Sequence, residues 1–201
     1  MMALVLDRMR INKQAKVLLL APDKSLLTLL RSRGIFRITA ADIDPEPYRS
    51  LDLEVRKLDL TSVDHREWRA KSFDLIIHSH VIEHIPATLA SPLYEIFRLM
   101  KPAGKQLACI PFMEGYYEEM LGELQPDERE RRFGQDDHVR RIGSEDSAVT
   151  VGKIVHFRPV DFSTEFDHDI LRNANIPASL WSGLKGSTVN VFFRSDWKLN
   201  I

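Results

Sequence analysis

The chain has 201 residues, 44% of them hydrophobic, with 28 basic and 29 acidic side chains for a net charge of -1. That length suits one domain with a full hydrophobic core, and the near-neutral balance gives no global attraction to polyanions or anionic lipid. Nucleic acid as an obligatory partner and a membrane partner are therefore not expected, and the single cysteine, Cys109, excludes an internal disulfide or a thiolate metal cluster.

The amino terminus, MMALVLDRMRINKQAK, carries Asp7, Arg8 and Arg10. The apolar run left between these charges is too short for a signal-peptide core or a spanning helix, so a soluble, cytoplasmic protein is expected. Val17 to Ala21 is a continuous apolar run between Lys16 and Pro22, the pattern of a strand buried on both faces. Leu26, Leu27, Leu29 and Leu30 then follow helical spacing, and Gly34 is placed to end that helix. Ile35 to Ala41 reads as a second strand, closed by Asp42-Ile43-Asp44-Pro45-Glu46-Pro47, where two prolines deny the chain ladder donors.

Leu53 to Leu58 is a weaker third strand ended by Asp59-Leu60-Thr61, and Phe73 to His78 is a fourth. Ala87 to Met100 reads as a helix with Leu89, Leu93, Ile96, Phe97 and Met100 on one stripe. Lys101-Pro102-Ala103-Gly104 is then a turn feeding a fifth strand, Gln106 to Ile110, which makes Cys109 an inert core thiol. Alternating strands and helices predict right-handed crossovers and an α/β, Rossmann-like, doubly wound and mostly parallel sheet.

Glu114 to Asp146 is charged, poor in branched aliphatics and interrupted by Pro126, and residues 114–147 are expected to be a helical insertion or lid within a single domain spanning residues 1–201. Val149 to Val160 has room for a strand. Ser187 to Arg194 is a clear one, expected at the edge or antiparallel.

In open α/β sheets ligands bind outside the carboxyl ends of the strands. The turn after the first strand, Ala21-Pro22-Asp23-Lys24-Ser25, has no glycine with which to approach a pyrophosphate, and no P-loop occurs elsewhere, so diphosphate cofactors and nicotinamide-dependent oxidation are disfavoured. Asp42, at the end of the second strand, suits either the two hydroxyls of a ribose or a solvated turn; Asp44 reads as a turn former. Asp59 could bond an exocyclic adenine amine or serve the turn that follows it.

These residues resemble class I S-adenosylmethionine-dependent methyltransferases, in particular the methyltransferase type 11 group. The resemblance rests on Val17 to Ala21, Asp42-Ile43-Asp44-Pro45, Leu58-Asp59-Leu60, the block Phe73 to Ile85 (FDLIIHSHVIEHI), Leu99 to Gly104 (LMKPAG), and Arg131 to Arg140 (RRFGQDDHVR). It implies a seven-stranded sheet with an antiparallel last strand and S-adenosyl-L-methionine as cofactor. Ala21 and Pro22 would border its methionine end, Asp42 with Ile43 its ribose, Asp59 and Leu60 its adenine, and Ser79 and His80 would pass beneath the sulfonium.

The chain departs from the family in its first motif, where Leu19 replaces the usual acid and the Gly-x-Gly turn is absent. Asp23 is the candidate substitute for that acid, bonding the cofactor's ammonium beside the following helix's positive end. Methyl transfer needs mainly alignment of the acceptor, with a base only if the acceptor must lose a proton. His84 and His138 are the candidate bases, and Tyr116, Tyr117 and Asp137 are candidates for contact with a small or medium-sized soluble acceptor. The alternative roles are structural: Glu83-His84 at a helix start, His138 in a solvated ion-pair cluster, and the tyrosines as anchors of the lid.

No metal site is predicted, because His78 and His80 alternate along one strand without a third ligand at a telling distance. The alternative to a methyltransferase is a non-catalytic Rossmann-like ligand-sensing or protein-interaction module that has lost the glycine turn.

Overall fold

The structure is a computed structural model and describes residues 1–62 and 67–198. Helix α1 (Met2–Arg8) precedes β1 (Val17–Leu20), α2 (Lys24–Ser32), β2 (Ile38–Asp42), β3 (Val55–Lys57), β4 (Phe73–Ser79), α3 (Ala90–Leu99) and β5 (Met100–Ile110). The chain continues through β6 (Phe112–Met113), β7 (Glu118–Glu119), α4 (Pro126–Phe133) and β8 (Arg140–Gly143). Short helices α5 (Val151–Ile154), α6 (Phe162–Glu165) and α7 (His168–Asn173) lead to the last strand, β9 (Thr188–Phe193).

Among the described residues the main sheet has six strands in the order β3-β2-β1-β4-β5-β9, parallel throughout except for β9, which runs antiparallel to β5. The order reverses between β1 and β4, so their carboxyl ends diverge and leave a crevice. Successive residues of β1 explain why it is apolar without alternation: Val17 and Leu19 enter the core on one face, Leu18 and Leu20 the core on the other, and all four are buried. Each such leucine contributes about 2–3 kcal/mol of transfer free energy.

The seventh strand implied by the resemblance is reduced here to isolated bridges. Pro159 pairs with Asn190, and the adjacent Val160 amide donates to the Val189 carbonyl at 2.8 Å. Proline has no amide hydrogen, so the ladder cannot propagate through position 159. The strand sought in Val149 to Val160 is accordingly a turn of helix, α5, followed by these bridges.

The expected turn at Lys101–Gly104 is a wide bulge inside β5 rather than a break before it. Phe73 pairs with Met100 and Leu75 with Lys105, so Lys101 to Gly104 loop out between two rungs. A Cβ at Gly104 would meet Met100 Cγ at 2.6 Å and the Lys101 carbonyl oxygen at 2.9 Å, which restricts that position to glycine.

The polar excursion at 114–147 is mixed rather than helical. It holds α4 and the strands β7 and β8, and β8 pairs in parallel with β6 and antiparallel with β7. Its glutamates and arginines lie opposite one another across β7 and β8, Glu118 facing Arg141 and Glu119 facing Arg140, and such cross-strand charge pairs favour strand over helix. No helix among the described residues is long and apolar enough to cross a membrane.

Candidate active site

A cavity of about 490 Å³ opens at the carboxyl ends of β1 to β4, within the range that holds small-molecule ligands. Of the sequence-predicted cofactor residues, Ala21, Asp42, Ile43, Asp59, Leu60 and His80 line it, and His84 and Asp137 close it from the side of residues 114–147. Pro22, Asp23, Ser79, His138, Tyr116 and Tyr117 do not line it. Tyr48, Val81 and Ile85, which the sequence reading missed, do.

Each wall has a local cause. Ala21 sits at φ 45°, the left-handed region that favours glycine, so the chain keeps a glycine-type turn without the glycine. Alanine there costs about 1–2 kcal/mol, and glycine's extra unfolded-state freedom offsets about 0.4–1 kcal/mol of any relief. Ala21→Gly should therefore stabilise the protein by about 0.5–1 kcal/mol, read as a higher urea midpoint at unchanged slope. His80 is the second strained position, at φ 52° on the opposite rim.

Asp42 ends β2 with each carboxylate oxygen accepting one protein hydrogen bond, from the Asp44 amide at 2.9 Å and the Tyr48 hydroxyl at 2.9 Å. One lone pair on each oxygen remains for a ligand. Partial burial, and then the Asp42 carboxylate, push the Tyr48 phenol up to about 12, so it stays a donor. Asp59 accepts from the Thr61 amide at 2.8 Å and hydroxyl at 2.7 Å through one oxygen, Oδ1.

Asp23, the candidate substitute for the missing acid, lies at the start of α2 and does not line the cavity. Its carboxylate caps α2 by accepting from the Leu26 amide at 2.9 Å, which is the ordinary use of an aspartate preceding a helix.

His80 Nδ1 lies 3.1 Å from Glu83 Oε1, and its Nε2 is 3.6 Å from the Cys109 sulfur. The Cys109 contact and the Glu83 carboxylate raise its pKa to about 10, so the ring carries a proton at neutral pH. Glu83 is not at a helix start but in a turn, with only 1% of its surface exposed. His84 Nδ1 pairs with Asp137 Oδ2 at 3.0 Å.

His138, read from sequence as part of a solvated cluster, is buried. Its Nδ1 donates to the Phe133 carbonyl at 2.9 Å, and its ring meets His84 edge-on with centroids 4.5 Å apart. Tyr117 anchors rather than lines: its amide donates to Asp146 and its hydroxyl to Glu119 at 2.6 Å, while Tyr116 points largely into solvent.

One residue organises this side of the site without touching the cavity. Arg140 is fully buried; its Nε donates to Glu119 at 2.9 Å, and its two terminal nitrogens reach the carbonyls of Ile82, Ile85 and Ala87. It thereby fixes the turn that carries Glu83 and His84 to β8. A Cβ at Gly143, at the end of the same strand, would fall 2.3 Å from the Tyr116 carbonyl carbon, so β8 packs directly on the backbone of residues 115–116.

A parallel sheet with this strand order, an antiparallel last strand and a crevice at its switch point is the fold of the class I methyltransferases. Residues 23–108 match the family model described as "Methyltransferase domain", and that domain and fold are those of S-adenosylmethionine-dependent methyltransferases.

No curated protein matches the chain. Among solved structures it is similar to an S-adenosylmethionine-dependent methyltransferase from Mesorhizobium loti, with TM-score 0.59, 10% identity, and coverage of 95% of this chain and 97% of that one. It is also similar to a chain from the complex of the Haloferax volcanii Trm112 methyltransferase activator with a methyltransferase, with TM-score 0.59, 18% identity, and coverage of 94% and 86%. A third is the Burkholderia thailandensis 1,6-didemethyltoxoflavin-N1-methyltransferase with bound 1,6-didemethyltoxoflavin and S-adenosylhomocysteine, with TM-score 0.54, 15% identity, and coverage of 96% and 76%.

Proposed function

We infer that the protein transfers the methyl group of S-adenosyl-L-methionine to a small or medium-sized soluble acceptor held between the sheet crevice and residues 114–147. The observation that carries this reading is the alignment, around one cavity, of Ala21, Asp42, Asp59 and His80 from the ends of four adjacent strand segments. The sulfonium of the cofactor supplies an already activated methyl group, so the protein's task is to bind, orient and exclude water.

Asp42 is suited to the ribose hydroxyls through its two remaining lone pairs, and Asp59 Oδ2, outside the Thr61 turn, to the adenine amine. Ile43, Leu60 and Val81 supply apolar wall. The Ala21 amide is taken by the Ala41 carbonyl and Pro22 has no N–H, so the carboxylate of the methionine moiety is assigned to the positive end of α2, and Asp23 Oδ2, outside the cap made by Oδ1, is suited to the ammonium. His84, aligned by Asp137, is the base for an acceptor that must lose a proton; His138 does not line the cavity and acts through its contact with His84. The small ligand in the Burkholderia thailandensis enzyme supports a small-molecule acceptor for this chain.

Calorimetric titration with S-adenosylmethionine and S-adenosylhomocysteine tests the reading, with micromolar affinity expected for both. Asp42→Ala should weaken binding roughly 10- to 100-fold, the worth of one or two hydrogen bonds to a charged group, while Tyr48→Phe leaves the carboxylate in place and has a smaller effect. An absence of heat with either ligand would leave the non-catalytic module as the better account, and unchanged affinity in the Asp42 variant would remove the ribose assignment.

A further inference from the structure

Behind the cavity wall, Glu83, His84 and His138 converge. One ligand atom from each lies within 4.8 Å of those of the other two. Two of these residues leave buried polar atoms with no hydrogen-bond partner among the described residues, Glu83 Oε2 and His138 Nε2, in side chains that are 1% and 6% exposed. An orphaned buried carboxylate oxygen beside an orphaned imidazole nitrogen is expensive unless a further group joins them.

The remaining atoms of the three side chains are all held from behind. Glu83 Oε1 is bonded by His80 Nδ1, His84 Nδ1 by Asp137 Oδ2, and His138 Nδ1 by the Phe133 carbonyl. The Phe133 carbonyl can only accept, so the proton of His138 resides on Nδ1 and Nε2 presents a lone pair. A carboxylate or carbonyl on the distal nitrogen of each imidazole is the arrangement that orients metal-bound histidines.

The backbone is fixed as well. The Val139 amide donates to the Glu83 carbonyl at 3.0 Å, and Arg140 binds the carbonyls on either side of this turn. A point equidistant from three atoms 4.8 Å apart lies about 2.8 Å from each, so less than about 1 Å of side-chain movement gives bonds of about 2.0–2.2 Å.

We propose that Glu83, His84 and His138 form a binding site for one divalent first-row transition-metal ion, of the Zn²⁺ class, that joins the β4 turn to the segment 114–147. Two imidazoles and one carboxylate suit such an ion better than Mg²⁺ or Ca²⁺, which prefer all-oxygen shells. Three protein ligands leave a coordination position open, and His84, the ligand that also lines the cavity, places the ion at the acceptor side. The site shares His84 with the methyl-transfer reading, and a bound ion would occupy the ring nitrogen that otherwise acts as base; its test does not involve the cofactor. The site is not legible in the sequence, because His138 is remote from Glu83-His84 along the chain and the Val139–Glu83 backbone contact brings them together.

The test uses the tag-free full chain, stripped with chelator and titrated with ZnCl₂ in the absence of cofactor. One equivalent should bind and raise the melting temperature. Glu83→Gln and His138→Ala should each weaken binding at least roughly a hundredfold, whereas His168→Ala, a substitution at an exposed histidine, should leave stoichiometry and affinity unchanged.

Because a variant of a buried residue can fail to fold, the unmodified protein is also titrated with Co²⁺. Visible d–d bands should appear at one equivalent and vanish on addition of Zn²⁺. A silent Zn²⁺ titration of the folded wild-type chain overturns the proposal, as does binding that survives both Glu83→Gln and His138→Ala. Titrating S-adenosylmethionine separately, with chelator present, keeps failure here distinct from failure of the methyltransferase reading.

Discussion

Replacing Arg140 with methionine should lower the unfolding free energy by about 3–5 kcal/mol, the range seen when one partner of a buried ion pair is removed. The wild-type guanidinium has no exposed surface, and the Glu119 side chain it bonds is 18% exposed. Methionine fills much of the same volume but donates nothing. Among the described residues Glu119 would keep the Tyr117 hydroxyl, the carbonyls of Ile82 and Ala87 would lose the Arg140 donor together, and the Ile85 carbonyl would be left with the Ala87 amide.

For a chain of this length the melting temperature should fall by roughly 6–20 °C. Lysine should not rescue it, because one ammonium cannot reach the fork of acceptors that a planar guanidinium spans. A double-mutant cycle with Glu119→Gln separates the ion pair from the three carbonyls. If most of the loss persists in the Glu119→Gln background, the carbonyl contacts dominate; a loss below about 1 kcal/mol would place Arg140 among ordinary surface arginines.

The physical prominence of Arg140 also marks what a sequence can and cannot disclose here. The strand–helix alternation was legible because burial on both faces writes an unbroken apolar run at Val17–Leu20, and because Asp42 and Asp59 stand where such runs stop. The cavity rim followed from those strand ends. Tyr48 escaped notice because its contact with Asp42 depends on the 3₁₀ turn after Pro45, and proline-rich turns carry no periodicity.

Residues 114–147 were harder for a different reason. Charges at β7 and β8 pair with one another across the ladder, and Arg140 is buried by partners drawn mostly from the backbone of residues 82–87. Composition reads such a segment as solvated and helical; only the tertiary partners turn Arg140, His138 and Glu83 inward. The missing seventh strand was legible in retrospect at Pro159, whose effect depends on knowing that β9 lies beside it.

The second large effect is expected on acidification and belongs to His78, buried completely within β4. One ring nitrogen meets the Gln106 side-chain amide at 2.7 Å, and Nδ1 has no partner among the described residues. An imidazolium would need acceptors on both nitrogens, and one Gln106 side chain supplies at most one. Burial lowers the pKa to about 4, against a smaller upward pull from the Glu83 carboxylate and a downward push from His80.

The folded-state value lies below the ordinary 6.5, so the unfolded chain takes up the proton first as pH falls. The stability conferred by neutral His78 is therefore complete above pH 6.5 and is lost as pH drops toward about 4. The slope approaches about 1.4 kcal/mol per pH unit midway between the two values, which gives about 2 kcal/mol between pH 6.5 and 4.5.

Carboxylates such as Asp74, which partial burial pushes up but the Lys101 ammonium and the Lys16 amide together bring below the ordinary value, add their own acid-dependent loss in the same direction. The comparison must therefore be internal. The double substitution His78→Leu with Gln106→Leu removes the titrating ring and its amide together and leaves no orphaned partner. Urea unfolding at pH 7.0, 5.5 and 4.5 should show its stability falling more shallowly than that of the wild type, so that the difference between the two shifts steadily in favour of the double variant as pH decreases. Parallel curves would mean that His78 is protonated in the folded protein as readily as in the unfolded chain, and that acid attacks the fold through its carboxylates alone.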